Sequence, residues 1–191
     1  MKNNQGNGVN AGTVRGYTLT AVSLHWATAV IVISAAVLGI YMHELPFSPM
    51  KLKLYSYHKW MGVTVFLLAL IRLAWRSSHV APALPDNMPL WEQRAAKGAH
   101  AALYVFMIAV PLAGWVMSSA HGFQTVYLGI LPIPDLIGKN KELAEVLEKV
   151  HGAFSLSFMA LVVLHGAAAL KHHFINRDNV LRRMLGLRSL P

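Results

Sequence analysis

The sequence predicts an all-α protein, a transmembrane four-helix bundle. Three observations predict it. Of 191 residues, 55% are hydrophobic and only 13% charged, whereas a soluble domain carries about 25% charged residues. Four apolar windows are each near or above the length of about 20 residues that a helix needs to cross a bilayer. Polar residues inside those windows are few and include histidines, and ionisable groups in such segments are costly unless they serve a site.

The windows run Tyr17–Met42, Tyr57–Trp75, Gly98–Ala120 and Val150–His173. Tyr17, Tyr41, Tyr57, Trp60, Trp75 and Tyr104 fall toward their ends, where aromatic rings meet the headgroup layer. Pro111 inside the third window predicts a kink. Three prolines (Pro82, Pro85, Pro89) predict an extended connection between the second and third spans. Lys141–Lys149 reads as a short amphipathic helix outside the membrane. Residues 1–16 are polar and rich in Gly and Asn, which predicts a disordered lead and not a secretory signal.

Basic residues set the orientation. They concentrate near the N-terminus (Lys2, Arg15), in the middle connection (Arg72, Arg76, Arg94, Lys97) and in the tail (Lys171, Arg177, Arg182, Arg183, Arg188). Both termini are therefore expected in the cytoplasm. The net charge of +9 gathers at the ends of apolar runs and forms no solvated basic face, so nucleic acid is not an expected partner. Membrane lipid is. The absence of cysteine removes disulfides, zinc–thiolate sites, iron–sulfur clusters and thioether-attached haem.

His151 and His165 lie fourteen residues apart on the fourth span. At about 1.5 Å per residue that is about 21 Å, most of a bilayer core, and at about 100° per residue both face nearly the same way. With the spans alternating in direction, His25 matches His165 in depth toward the cytoplasm, and His58 matches His151 toward the outside. Two sites stacked across the membrane follow, each with one ligand from the fourth helix. Haem fits such pairs, because its iron takes axial ligands on both faces and its flat ring lies between helices. Zinc would want four ligands.

Gly62, Gly152 and Gly166 beside these histidines would admit either a porphyrin or a close neighbouring helix. Arg72, fourteen residues after His58, reads either as a partner for an inner haem propionate or as an interfacial anchor. His100 and His172 at the cytoplasmic level read either as the lining of a quinone pocket or as headgroup contacts. His43, His79 and His121 fall at span ends or in a loop, where solvation is expected.

Ser-Leu-His25-Trp, Tyr-His58-Lys-Trp-Met-Gly, Val-His151-Gly-Ala-Phe and Leu-His165-Gly-Ala-Ala-Ala-Leu-Lys-His-His-Phe together resemble the bacterial cytochrome b561 family, as does the tail Asp178-Asn179-Val-Leu-Arg-Arg-Met. The likeness runs from about Tyr17 onward. It implies an inner-membrane protein with two b haems, held as iron ligands by His25, His58, His151 and His165, that exchanges electrons with ubiquinone. Some members of that family are superoxide oxidases. Lys51, Lys53, Lys59, Lys139, Lys141 and Lys149 on the outer side could attract an anion, while Glu44, Asp135, Glu142, Glu145 and Glu148 offset them.

The expected organisation is a lead over 1–16, a di-haem transmembrane domain over 17–178 and a basic cytoplasmic tail over 179–191. The expected function is electron transfer between the outer face and the ubiquinone pool, including the superoxide:ubiquinone oxidoreductase reaction. A haem-bearing relay or anchor for a partner dehydrogenase or hydrogenase is the alternative, and a cation transporter with intramembrane histidines is a third reading.

Overall fold

The structure is a computed structural model that describes residues 16–83 and 88–187. Four long helices build it: α1 (Leu19–Glu44), α2 (Pro49–Ser78), α3 (Leu90–His121) and α4 (Lys141–Phe174). All four are long and apolar enough to cross a membrane. The protein is a multi-pass transmembrane bundle. A two-stranded hairpin, β1 (Thr125–Tyr127) and β2 (Leu131–Ile133), lies between α3 and α4, and a short α5 (Val180–Met184) follows α4. The expected lead, residues 1–16, lies outside the described residues except for Gly16.

Local chemistry sets the helix ends. The side chains of Thr18, Ser48 and Asn140 accept from the backbone N–H of Ala21, Lys51 and Leu143, each satisfying a donor that the first helical turn leaves free. Pro49 occupies the opening of α2, where its missing N–H costs nothing. Gly122 ends α3 at φ 76°, with its N–H on the Ser119 carbonyl and that of Phe123 on Ser118, a left-handed cap that glycine adopts without strain.

The helices outrun the expected spans. α2 starts eight residues before Tyr57 and α3 eight before Gly98, so their polar first turns project beyond the apolar windows. Lys141–Lys149 is not a separate amphipathic helix. It is the first part of α4, because no Gly or Pro interrupts the chain before Val150. α3 continues as one helix through Pro111. The hairpin was not expected from hydropathy: its strands are three residues each, too short for a periodic signal.

The short Leu45–Pro46–Phe47–Ser48 link makes α1 and α2 antiparallel neighbours. Close backbone packing runs from α1 to α2, α2 to α3 and α3 to α4. The start of α1 meets the end of α2 through Trp75 and Thr18, the start of α3 meets the end of α4 through Glu92 and Lys171, and the tail reaches back through Met184 to Trp26. These contacts define one end of the bundle. At the other end the hairpin is tied down by Trp60 Nε1 to the Val126 carbonyl (2.7 Å), Lys59 Nζ to Phe123 (2.8 Å) and Trp115 Nε1 to Pro134 (3.0 Å).

The dry core sits between these ends. Val32, Val65, Ala69, Met107 and Phe158 form it. Val32 is seven residues beyond His25, Val65 seven beyond His58, and Phe158 midway between His151 and His165. Large apolar side chains such as Ile40 (71% exposed) and Leu164 (65%) point outward, as lipid-facing residues do in a membrane, where the tails are as apolar as leucine.

Candidate functional site

The four histidines meet in two pairs. His25 of α1 faces His165 of α4 with ring centroids 6.1 Å apart. His58 of α2 faces His151 of α4 at 6.2 Å. All four rings are half-buried. The first pair lies toward the tail end and the second toward the hairpin end, with the apolar core between. Along α4 their separation is about 21 Å at ordinary helix rise.

The spacing within each pair is informative. Two nitrogens bound to one metal ion lie about 4 Å apart, twice a metal–nitrogen bond, which places imidazole centroids about 6 Å apart. The partners also come from helices whose backbones do not pack closely: the close packings link α4 to α3, while the histidines bridge α4 to α1 and α2. Beside them, a Cβ added at Gly62, Gly152 or Gly166 would meet no protein atom within 4 Å. Close helix packing therefore does not require these glycines. The residues present fit a flat group held by two axial imidazoles at each level.

The rings at the hairpin end are held by backbone. His58 Nδ1 lies 3.0 Å from the Ala35 carbonyl of α1, and His151 Nδ1 lies 3.1 Å from the Val110 carbonyl of α3. A carbonyl only accepts, so each Nδ1 carries the proton and each Nε2 keeps its lone pair for a metal.

The level at the tail end carries a positive charge. Arg72 Nη2 donates to His25 Nδ1 at 3.2 Å, and the guanidinium lies over the Tyr104 ring, 5.5 Å from its centroid. His100 of α3 meets His165 edge-on at 5.3 Å. His172 belongs to a different neighbourhood. Its Nδ1 pairs with Asp178 Oδ2 at 2.5 Å, and it lines a cavity with Met88, Pro89, Glu92, Asn176 and Asp178. His100 is not among those lining residues, so the two histidines expected to share a pocket are divided between the inner histidine pair and the cavity. Lys171, at the same end, pairs with Glu92 at 2.6 Å.

Among the described residues no group of three or more His, Cys, Asp or Glu surrounds one ion position. Axial ligation of an iron already held in a macrocycle needs two.

Sequence reasoning missed the groups that aim His58 and His151. Ala35 and Val110 act through their carbonyls, which leave no trace in residue type. Asp178 was read only as part of a tail motif, although its place six residues after His172 put a carboxylate just past the helix end.

Residues 16–187 match the sequence model of the family described as prokaryotic cytochrome b561. The chain is 32% identical over 179 residues to Cytochrome b561 homolog 2 of Escherichia coli K12, covering 93% of this chain and 95% of the relative. It is 28% identical to Cytochrome b561 homolog 1 of the same organism, covering 91% and 98%. It is 26% identical to the Probable superoxide oxidase CybB of Yersinia pestis, covering 88% and 95%.

Proposed function

Because this chain belongs to the prokaryotic cytochrome b561 family of electron-transport proteins, we propose that it is a di-haem b cytochrome of the bacterial inner membrane, with both termini cytoplasmic, that carries electrons between the outer face and the ubiquinone pool. The observation that carries this reading is the pair of imidazole pairs, 6.1 and 6.2 Å between centroids, stacked along one helix. His25 and His165 would hold the inner haem and His58 and His151 the outer one. When bound, each haem would supply one-electron chemistry, which suits electron transfer.

The chain's own residues do the rest. The Val32–Val65–Met107–Phe158 core keeps water out between the levels. Arg72, which reaches His25, places a fixed positive charge at the inner level and would pair with a haem propionate there. At the tail end, His172 and Asp178 line the cavity in which ubiquinone exchanges, with the imidazole–carboxylate pair moving protons to and from a quinone oxygen.

Superoxide is the donor favoured at the outer end. A relative carries the name Probable superoxide oxidase. Lys59, adjacent to His58, also presents its ammonium at the hairpin, in a cavity lined by Ser56, Trp60, Gln124, Thr125, Val126 and Gly129. A small anion would be drawn there. The test gives the purified protein superoxide and a soluble ubiquinone analogue. Haem reduction followed by quinol formation supports the oxidase reading. Haems that reduce chemically and pass electrons to quinone, yet do not respond to superoxide, assign the protein to a relay. Reduced haems that quinone cannot reoxidise overturn the quinone assignment.

A further inference from the structure

The two outer histidines are held by the same device, built twice from different helices. On α1 the Ala35 carbonyl receives the Nδ1 proton of His58, and one turn later Gly39 faces the same ring: a Cβ there would stand 3.2 Å from His58 Cε1. On α3 the Val110 carbonyl receives the Nδ1 proton of His151, and one turn later Gly114 faces that ring: a Cβ would stand 3.0 Å from Cε1 and 3.3 Å from Nδ1. Carbonyl at one position and glycine four residues on lie on one helix face. The inner histidines lack this arrangement, since His25 meets Arg72 and His165 meets His100.

The consequence is an angle. The planes of His58 and His151 cross at 87°, against 55° for His25 and His165. Each outer ring has two constraints, a hydrogen bond that fixes where Nδ1 points and a backbone wall that limits rotation about it. A methyl group at either glycine would push the ring aside, because contacts of 3.0–3.2 Å are inside ordinary carbon–carbon separation.

We propose that Gly39 and Gly114 are positioning residues that hold the outer axial imidazoles crossed at a right angle and seated on the Ala35 and Val110 carbonyls, and so set the electronic state and potential of the outer haem. The inference rests on the reading of His58 and His151 as its ligands. The chemistry is general. A carbonyl accepting from Nδ1 makes the imidazole a stronger donor at Nε2, and stronger donation favours ferric over ferrous iron and lowers the potential. Crossed imidazole planes keep the two iron π orbitals nearly equal in energy, which gives a highly anisotropic low-spin ferric resonance. Planes nearer parallel separate those orbitals and give a rhombic one.

The test compares purified, haem-loaded wild type with Gly39→Ala, Gly114→Ala and Gly98→Ala, the last at a position where a Cβ meets nothing within 4 Å. Haem content, electron paramagnetic resonance and a potentiometric titration are read for each. In the wild type the outer haem gives the more anisotropic of the two signals. In Gly114→Ala that signal loses anisotropy and the outer potential rises. Gly39→Ala moves both the same way and less, and in both variants the inner haem keeps its signal and potential. Gly98→Ala matches wild type. Should Gly114→Ala fail to assemble, the milder Gly39→Ala decides. Two haems per chain with an unmoved outer signal and potential in the assembled variants overturn the positioning role and leave the ligand assignment standing. Equal shifts at both haems also overturn it. Wild-type protein that lacks an outer haem overturns the ligand assignment itself.

Discussion

Arg72 of α2 donates from Nη2 to Nδ1 of His25 on α1, across 3.2 Å. A guanidinium has no acceptor, so this contact places the His25 ring proton on Nε2. Ligation of an iron through that nitrogen would require the ring proton to move to Nδ1, which then no longer accepts, and Arg72 would turn to another acceptor such as a haem propionate. The positive charge stays at the inner level either way. Arg72→Ala is expected to lower the inner haem potential by about 60 mV, the one-electron equivalent of about 1.4 kcal/mol, with the outer potential unchanged. A potentiometric titration that resolves the two haems checks this.

The pairs share α4 but take their other members from α1 and α2, and the apolar core lies between them, which makes them separable. His151→Ala is expected to lose the outer haem and keep most of the inner one, and His165→Ala the reverse. Haem per chain, with the surviving potential, reads both variants. Equal loss of both haems in each variant would show that neither level assembles alone.

Phe158 stacks on Phe106 with centroids 6.0 Å apart and planes at 20°, and is 6% exposed. Phe158→Ala removes the largest ring of the core between the levels. A loss of about 3 kcal/mol is expected, the lower part of the range for such truncations. Thermal unfolding in detergent measures it, with the haem spectra unchanged below the transition.

At the tail end, His172→Ala removes one member of the pair with Asp178. Quinone reduction is expected to fall by about 10²-fold, the lower end of what a positioned general acid contributes. Haem content and both potentials should remain as in wild type. An unaltered rate of quinone reduction would place the quinone elsewhere.

The bundle was legible in the sequence because each span is a long apolar run and hydropathy reports that directly. The pairing of His25 with His165 and of His58 with His151 was legible because direction alternates between spans, so position along a span gives depth. Other features left weaker traces. Lys141–Lys149 looked separate because its charges break the hydropathy of α4, although the helix does not break. The hairpin hid in strands of three residues, held by Trp60, Trp115 and Lys59 bonds to backbone that side-chain pattern does not record. His100 and His172 shared a depth but not a neighbour, since depth says nothing about position around the bundle. Nothing in the sequence separates Gly39 and Gly114 from other small residues of a membrane helix, since their role comes from the rings of His58 and His151 packed against them.

The central claim is that two imidazole pairs each grip one haem. Haem content per chain of purified, fully loaded protein, with the reduced-minus-oxidised spectrum, tests it most directly. The account predicts two b-type haems per chain with distinct potentials. One haem per chain, or colourless protein, would contradict it.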